Sequence, residues 1–145
     1  MGSKQLISAH KENAEIYHGS CLCKQKSIEL LCLMNLPKAL LPLTDLVELG
    51  YNPITGFVWL KQKQPYHHRF RGIGRTVSYD AEVTTFIEDG RMRRLTGVKS
   101  KELLIWVSIS DIYVDENQDH AGTITFASST GLARTFPVST FEVDE

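Results

Sequence analysis

The spacing of apolar positions changes once along the chain, close to Pro42. Before this point, residues 5–18 and about 21–35 carry apolar side chains at helical intervals, with Gly19 between the two segments and Pro37 after the second. After it, apolar and polar residues alternate with a period of two, as in half-buried strands. We therefore predict two N-terminal helices followed by about seven antiparallel strands. A parallel sheet is not expected, because helices and strands do not alternate.

Turn residues in the second part of the chain predict three antiparallel hairpins, at residues 43–63, 77–95 and 123–138. Asn52–Gly56 and Asp89-Gly90 supply the residues that tight turns require. Strands at such regular spacing are typical of an antiparallel β-barrel or a two-sheet sandwich. The predicted fold class is therefore mainly β (α+β), with the two helices in front.

The stretch 95–114 combines the most apolar strand of the chain with a basic start. Glu102–Val107 is apolar enough for both sides of a strand to be buried, yet Lys99 and Lys101 come immediately before this run. The alternation then slips by one residue near Ser110-Asp111, which is the signature of a β-bulge. A basic segment beside so apolar a strand indicates either a solvated strand end or the rim of a binding site.

The chain is predicted to be a single domain over residues 1–145, with a helical part at 1–36 and an antiparallel β part at 40–143. Its apolar content of 42% and charged content of 23% are those of an ordinary globular protein. Residues 117–122 are expected to form a loop. The second helix is expected to bury a face formed by Ile28, Leu31, Cys32 and Met34.

The cysteines argue against an extracellular disulfide scaffold. Cys21, Cys23 and Cys32 are an odd number, and they lack the paired Cys-x-x-Cys spacing of a zinc site. The first residues do not resemble a secretory signal, and no apolar run is long enough to span a membrane. We expect a soluble, cytoplasmic protein with no metal, no cofactor and no transmembrane segment.

Charge is distributed unevenly along the sequence, although the formal net charge is only −1. Residues 61–101 contain 10 Lys or Arg against 4 Asp or Glu, whereas residues 102–145 contain 1 against 8. A local surplus of positive charge attracts anionic partners. If the strand ends meet at one rim, that rim would bind anionic headgroups; the alternative is that these are ordinary solvated charges at strand edges. The candidate anionic-ligand residues are Lys61, Lys63, His67, His68, Arg69, Arg71, Arg91, Arg93, Arg94, Lys99 and Lys101.

Aromatic residues and histidines offer further candidates. Trp59 and Trp106 are expected to pack in the core, and they would be the best lining of a cavity if the interior held a ligand. His67 and His68 could supply a general base, but no Gly-x-Ser-x-Gly nucleophile motif accompanies them. Nucleic acid is not expected as a partner, because the final third is acidic and few stacking aromatics lie among the basic residues.

Six motifs, in order and spacing, resemble those of a plant family catalogued as domain of unknown function 538. They are LLPL (40–43), GFVWLKQKQ (56–64), VSYDAEVT (77–84), LTGVKSKELLIWVSISDIYV (95–114), ITF (124–126) and LARTFPVSTF (132–141). The resemblance covers about residues 16–143. It implies a plant protein with a mainly β fold, in a family compared with lipid-binding proteins of the bactericidal permeability-increasing type and linked to stress responses. It supplies no catalytic residues.

Residues and resemblance together favour a non-enzymatic protein that binds an anionic lipid or amphiphile, or a membrane surface, through a basic rim of strand ends. Attachment to a membrane would then be peripheral. One alternative is a hydrolase of esters or chlorophyll that uses His67 or His68, since such hydrolysis has been suggested for the family. A second alternative is a protein-interaction module without a small ligand.

Overall fold

The computed structural model of the protein describes residues 2–117 and 120–142. Part of the loop predicted at 117–122 lies outside these ranges, at residues 118 and 119. Among the described residues, no helix combines the length and the apolar content needed to cross a bilayer. The elements are, in chain order, α1 (Ser3–His10), β1 (Glu15–His18), α2 (Ser20–Leu33), β2 (Leu46–Tyr51), β3 (Phe57–Gln62), β4 (Tyr66–Phe70), β5 (Arg75–Glu88), β6 (Arg91–Glu102), β7 (Ile105–Asn117), β8 (His120–Ser128), β9 (Ala133–Pro137) and a 3₁₀ helix (Val138–Phe141).

The strands form one antiparallel sheet in the order β1-β2-β3-β5-β6-β7-β8-β9, with β4 also paired to β5. β3 and β4 lie end to end beside β5, because they pair with its residues 82–86 and 75–79 respectively. The predicted fold class is confirmed, since the fold is mainly β, antiparallel and preceded by helices. Neither a closed barrel nor a pair of sheets is formed: there is one sheet, and its end strands β1 and β9 are not paired with each other in the described ranges.

The three predicted hairpins are confirmed, and their turns use the residues that indicated them. The side-chain oxygen of Asn52 accepts hydrogen bonds from the backbone N–H groups of Ile54 (2.9 Å) and Thr55 (3.2 Å). Gly90 has a φ of +67°, which a residue without a Cβ adopts at little cost. The local sequence was therefore enough to place these turns.

The predicted bulge in β7 is confirmed as well. Ile109 pairs with Ser128 and Asp111 pairs with Ala127, so Ser110 is the extra residue on its strand. The bulge returns Ile112 to the buried face, where this side chain is only 2% exposed.

The predicted helix over residues 5–18 is wrong in its second half. α1 ends at His10, and Asn13 then has a φ of +67°, outside the range of a right-handed helix. The following residues form β1, which pairs antiparallel with β2. The local spacing was overridden because the edge of β2 supplies hydrogen-bond partners to this backbone. The helical part predicted at 1–36 thus also contributes a strand to the sheet.

The main core lies between α2 and one face of the sheet, which we call the inner face. The side of α2 that is buried differs from the predicted one by a rotation about the helix axis. Leu31 is buried as expected, but Ile28 is half-buried and Cys32 is exposed. The apolar side chains leave a cavity of only about 10 Å³ between α2 and the sheet, little more than the space of one water molecule. The residues that α2 buries are Cys23, Ser27, Leu30 and Leu31.

A smaller cluster covers the opposite, outer face below α1. It contains Ile7 of α1 together with Phe57 and Trp59 of β3. Trp59 is fully buried, and its indole lies over Gly50, where a Cβ would come within 2.1 Å of the ring. Core packing is thus confirmed for Trp59. Because it packs on the outer face, Trp59 does not line the space between α2 and the sheet.

Candidate functional site

The hairpin between β6 and β7 projects from one end of the sheet. β8 ends at Ser128, which pairs with Ile109, so within residues 2–117 and 120–142 no strand pairs with residues 105–108 of β7 on that side. On the other side, the pairing of β6 with β5 ends at Ser100, two residues before the end of β6. At about 3.3 Å per residue, the hairpin extends roughly 13 Å beyond its last pair with β8.

The projecting residues are apolar and exposed. Leu103 and Leu104 in the turn are 91% and 93% exposed, and Ile105 and Trp106 at the start of β7 are 64% and 40% exposed. The expectations that Glu102–Val107 is buried on both sides and that Trp106 packs in the core are therefore wrong. They fail because, among the described residues, this stretch of β7 is paired only with β6, whereas the pairing with β8 ends at Ile109. We call Leu103, Leu104, Ile105 and Trp106 the apolar tip.

The turn of the apolar tip uses residues that tight turns disfavour. Leu103 and Leu104 alone connect Glu102 and Ile105, the last pair of the hairpin. Leu103 has a φ of +54°, a left-handed conformation that Gly, Asn and Asp adopt more readily than Leu. The chain therefore has two exposed leucines at a turn where the backbone geometry favours small or polar residues.

Basic residues lie beside the apolar tip on the outer face of the sheet. Across strands, Lys101 is opposite Trp106, while Ser78 is opposite both His67 and Lys99. Opposed residues share a face, as do residues two apart on one strand. The Nζ atom of Lys101 and the ring of His67 lie 5.7 Å and 5.3 Å from the Trp106 ring centroid. We call His67, Arg69, Lys99 and Lys101 the basic collar.

The collar lysines keep their charge available to a ligand. Lys99 and Lys101 are exposed, and within residues 2–117 and 120–142 no carboxylate lies within ion-pair distance of either. The acidic neighbour, Glu102, points to the inner face. There it accepts ion pairs from Arg75 (2.8 Å) and Arg134 (3.2 Å), which more than balance its charge. The end of the sheet around the apolar tip is therefore positively charged.

The structure gathers some of the sequence-predicted basic residues and separates others. His67, His68, Arg69, Arg71, Lys99 and Lys101 lie at the end that carries the apolar tip, on β4, β6 and the turn before β5. Lys61 and Lys63 lie near the end of β3, where Lys61 forms an ion pair with Glu48 (3.6 Å). Arg91, Arg93 and Arg94 lie toward the opposite end of β6, roughly 23–33 Å from Lys101 at the usual rise of a strand.

The three distant arginines are engaged by neighbouring side chains. Arg91 forms an ion pair with Asp111 (2.7 Å), and Arg93 forms one with Glu88. The guanidinium carbon of Arg94 lies 5.3 Å from the centroid of the Phe86 ring. The rim expected from the sequence thus forms around Lys99 and Lys101 but does not include the arginines that follow the Asp89-Gly90 turn.

β4 brings both candidate histidines to the tip end, and this strand was not predicted from the sequence. The signal would have been the alternation of Tyr66, His68 and Phe70, of which Phe70 is buried on the inner face. The Tyr66 hydroxyl lies 3.3 Å from Nδ1 of His68. His67 contacts the Trp106 ring, and no hydrogen bond joins it to a Ser, Thr or Cys side chain of the described chain, as a nucleophile-activating base requires. The hydrolase hypothesis gains no support from this contact.

A second surface feature is a groove of about 310 Å³ between α2 and the β1–β2 edge. Its polar groups satisfy one another: the Tyr17 hydroxyl donates to Glu15 (2.8 Å), and Lys26 pairs with Glu29 (3.2 Å). The hydrogen bond to Glu15 raises the pKa of Tyr17, as does partial burial. This groove therefore offers less free charge than the collar.

The cysteines do not form a site in the described part of the chain. Cys21, Cys23 and Cys32 are free thiols; Cys23 is buried and the other two are exposed. Burial raises the pKa of Cys23, whose thiol donates a hydrogen bond to the Tyr17 carbonyl oxygen (3.3 Å). No group of three or more potential metal ligands is brought together in these ranges.

Comparison with known families identifies the chain. The model of DUF538, described as a protein of unknown function, matches residues 27–142. The protein belongs to the DUF538 family. The family resemblance predicted from the sequence is therefore confirmed, and the match runs from α2 to the end of the described chain. Neither the curated proteins nor the solved structures that were compared gave a match.

Proposed function

We propose that this DUF538 protein binds anionic lipid headgroups at a membrane surface, reversibly, through the basic collar. The observation that carries the proposal is the position of Lys99 and Lys101, two exposed ammonium groups without a carboxylate partner in the described residues, beside the exposed Trp106. Peripheral attachment on the cytoplasmic side of a membrane belongs to the same proposal.

Protection of a strand edge against aggregation does not explain Lys99. Charges that block aggregation are needed on edge strands, whose backbone groups are unpaired. Lys99 is paired with Ser78 of β5 on one side and with Ser108 of β7 on the other. The side chain of Lys99 is therefore free to serve a binding role, because the backbone beside it is already paired on both sides.

The expected strength suits reversible binding. A basic residue close to an anionic leaflet contributes about 1 kcal/mol. The collar lysines together would then contribute about 2 kcal/mol, or roughly 30-fold in affinity. Because the attraction is screened over about 8–10 Å at physiological ionic strength, added salt should weaken it.

Co-sedimentation with liposomes tests the proposal. Phosphatidylcholine vesicles are compared with vesicles in which phosphatidylserine replaces part of the phosphatidylcholine, at low and at raised salt. The wild-type protein should bind the anionic vesicles, bind them less at raised salt, and bind the neutral vesicles poorly. The double variant Lys99→Gln/Lys101→Gln should lose most of this binding.

The matched control is Lys11→Gln/Lys38→Gln, which removes the same charge from two exposed lysines outside the sheet. This variant should bind like the wild type. Equal losses in both variants would mean that only net charge matters, and would overturn the assignment of the collar. Wild-type protein that fails to bind anionic vesicles at low salt would overturn the function itself. Thermal melting followed by circular dichroism shows whether each variant is folded.

A further inference from the structure

Building on the proposed headgroup binding, we propose that the apolar tip penetrates the bilayer, so that Leu103 and Leu104 contact lipid acyl chains while the basic collar stays at the headgroups. The collar alone would hold the protein on the surface by charge. The tip would add an attachment that salt does not screen, because the burial of apolar surface does not depend on charge.

Four consecutive apolar side chains at a projecting turn are unlike the other exposed apolar residues. Single exposed residues such as Ile54 in the β2–β3 turn and Leu33 at the end of α2 are 75% and 70% exposed, and isolated cases of this kind are common. The residues of the apolar tip are instead contiguous, and they lie beyond Ile109, where the pairing of β7 with β8 ends. At this position the tip could enter the interior of a bilayer without any change in the fold.

The backbone conformation of the turn also supports a role for the apolar tip in binding. Leu103 has a left-handed φ of +54° that Asn or Gly would adopt with less strain. Strained positions of this kind persist at sites of function. An apolar side chain at this position packs very little against the described residues, since Leu103 is 91% exposed. Contact with acyl chains would give it a burial partner.

The order of residues along the hairpin matches the order of layers at a membrane surface. Leu103 and Leu104 lead, Trp106 follows, and Lys101 lies opposite Trp106 on the neighbouring strand. Tryptophan concentrates at the boundary between headgroups and acyl chains, and lysine side chains extend their ammonium groups toward water. A tip inserted to roughly 5–10 Å, as interfacial segments are, would put the two leucines in the acyl region and Trp106 at this boundary.

A bilayer fits this surface better than a second copy of the chain. In a symmetric tip-to-tip dimer the collars of both copies would be brought together, and their like charges would repel one another. An anionic bilayer combines an apolar interior with a negative surface, which complements both the tip and the collar.

Quenching of Trp106 by brominated acyl chains tests penetration. Anionic vesicles are prepared with and without lipids brominated along the acyl chain, at low salt where the collar binds. Wild-type fluorescence should fall with the brominated vesicles, and Trp106→Phe should remove the quenching, because Trp59 is fully buried below α1. Leu103→Ser/Leu104→Ser should lose most of the quenching while still co-sedimenting with anionic vesicles at low salt. At raised salt the wild type should retain more binding than this variant.

The matched control is Leu33→Ser/Ile54→Ser, which removes two exposed apolar side chains elsewhere and should be quenched like the wild type.

Binding to anionic vesicles without quenching would overturn penetration and leave headgroup binding intact. Absence of binding would overturn both proposals. Quenching that is unchanged in the tip variant would also overturn penetration by these leucines. A wild-type dimer in sedimentation equilibrium that the tip variant abolishes would assign the tip to self-association instead. Circular dichroism melting again reports folding.

Discussion

Asp111, the residue that follows the bulge in β7, accepts an ion pair from Arg91 at the start of β6, with 2.7 Å between Oδ2 and Nη2. The same carboxylate accepts a hydrogen bond from the backbone N–H of Arg94 (3.3 Å). In the sequence, Arg91 belongs to the basic segment and Asp111 to the acidic one. The fold brings the two together, so part of the charge separation along the chain disappears in space.

The first prediction concerns these arginines. Arg91→Gln/Arg93→Gln/Arg94→Gln removes three positive charges from the end of β6 that lies away from the collar, so it should leave binding to anionic vesicles within about threefold of the wild type, as expected for charges beyond the screening distance. Lys99→Gln/Lys101→Gln removes only two charges but should weaken binding far more. Co-sedimentation of the two variants side by side measures this; a larger loss for the triple variant would contradict it.

A second prediction concerns the left-handed turn residue. Leu103→Asn should raise the free energy of unfolding by about 0.5–1 kcal/mol, because the left-handed conformation costs residues other than Gly, Asn and Asp about 1–2 kcal/mol. Urea denaturation measures the change. Leu104→Asn is the matched control: it makes a similar exchange at a 93% exposed position whose φ is not positive, so its stability should change by less than about 0.5 kcal/mol. A destabilised Leu103→Asn variant would contradict the expectation.

A third prediction concerns pH and Glu48. Partial burial tends to raise the pKa of Glu48, but hydrogen bonds from Trp59 (2.7 Å) and His18 (3.0 Å) and the charge of Lys61 outweigh it, so the pKa is lowered from its usual 4.5. A lowered pKa means that the folded state binds this proton less readily than the unfolded state. The stabilisation is therefore complete above about pH 4.5 and is lost as the pH falls through the lower value in the fold.

Glu48→Gln should accordingly lower the free energy of unfolding at neutral pH by about 1.5–3 kcal/mol, the range for a hydrogen bond to a charged group. The difference from the wild type should shrink as the pH falls below the usual pKa of a glutamate. Urea denaturation over a pH series measures both values. A difference that stays constant with pH would show that the Glu48 carboxylate contributes no charge-dependent stability.

A fourth prediction concerns the thiols. In the folded protein, Cys21 and Cys32 should react rapidly with a thiol reagent such as Ellman's reagent, because both are exposed. Cys23 should react only after unfolding, since it is fully buried and burial raises its pKa, which disfavours the reactive thiolate. Counting reactive thiols before and after denaturant measures this. Cys21→Ser and Cys32→Ser should each remove one fast-reacting group, and a fast group that survives in the double variant would contradict the assignment.

The sequence alone determined the features that depend on residues close together in the chain. The Asp89-Gly90 turn, the three hairpins and the bulge at Ser110-Asp111 follow from turn residues and from an alternation that slips by one position. These signals act over a few residues, so no knowledge of the rest of the fold is needed to interpret them. The family resemblance likewise depended on motifs that can be read along the chain.

Only the tertiary structure decided which strands are neighbours and where each one ends. The alternation in β7 predicts the side on which a residue lies, but Trp106 is exposed because β8 stops at Ser128, several residues short of it. Lys99 and Arg91 belong to the same basic segment and to the same strand, β6, yet they lie toward opposite ends of this strand. Arg91 forms an ion pair with Asp111, whereas Lys99 lies in the basic collar. Whether a side chain is buried or paired with an opposite charge depends on spatial neighbours that are distant in sequence. For that reason the apolar tip and the limits of the basic collar could not be predicted from the local pattern.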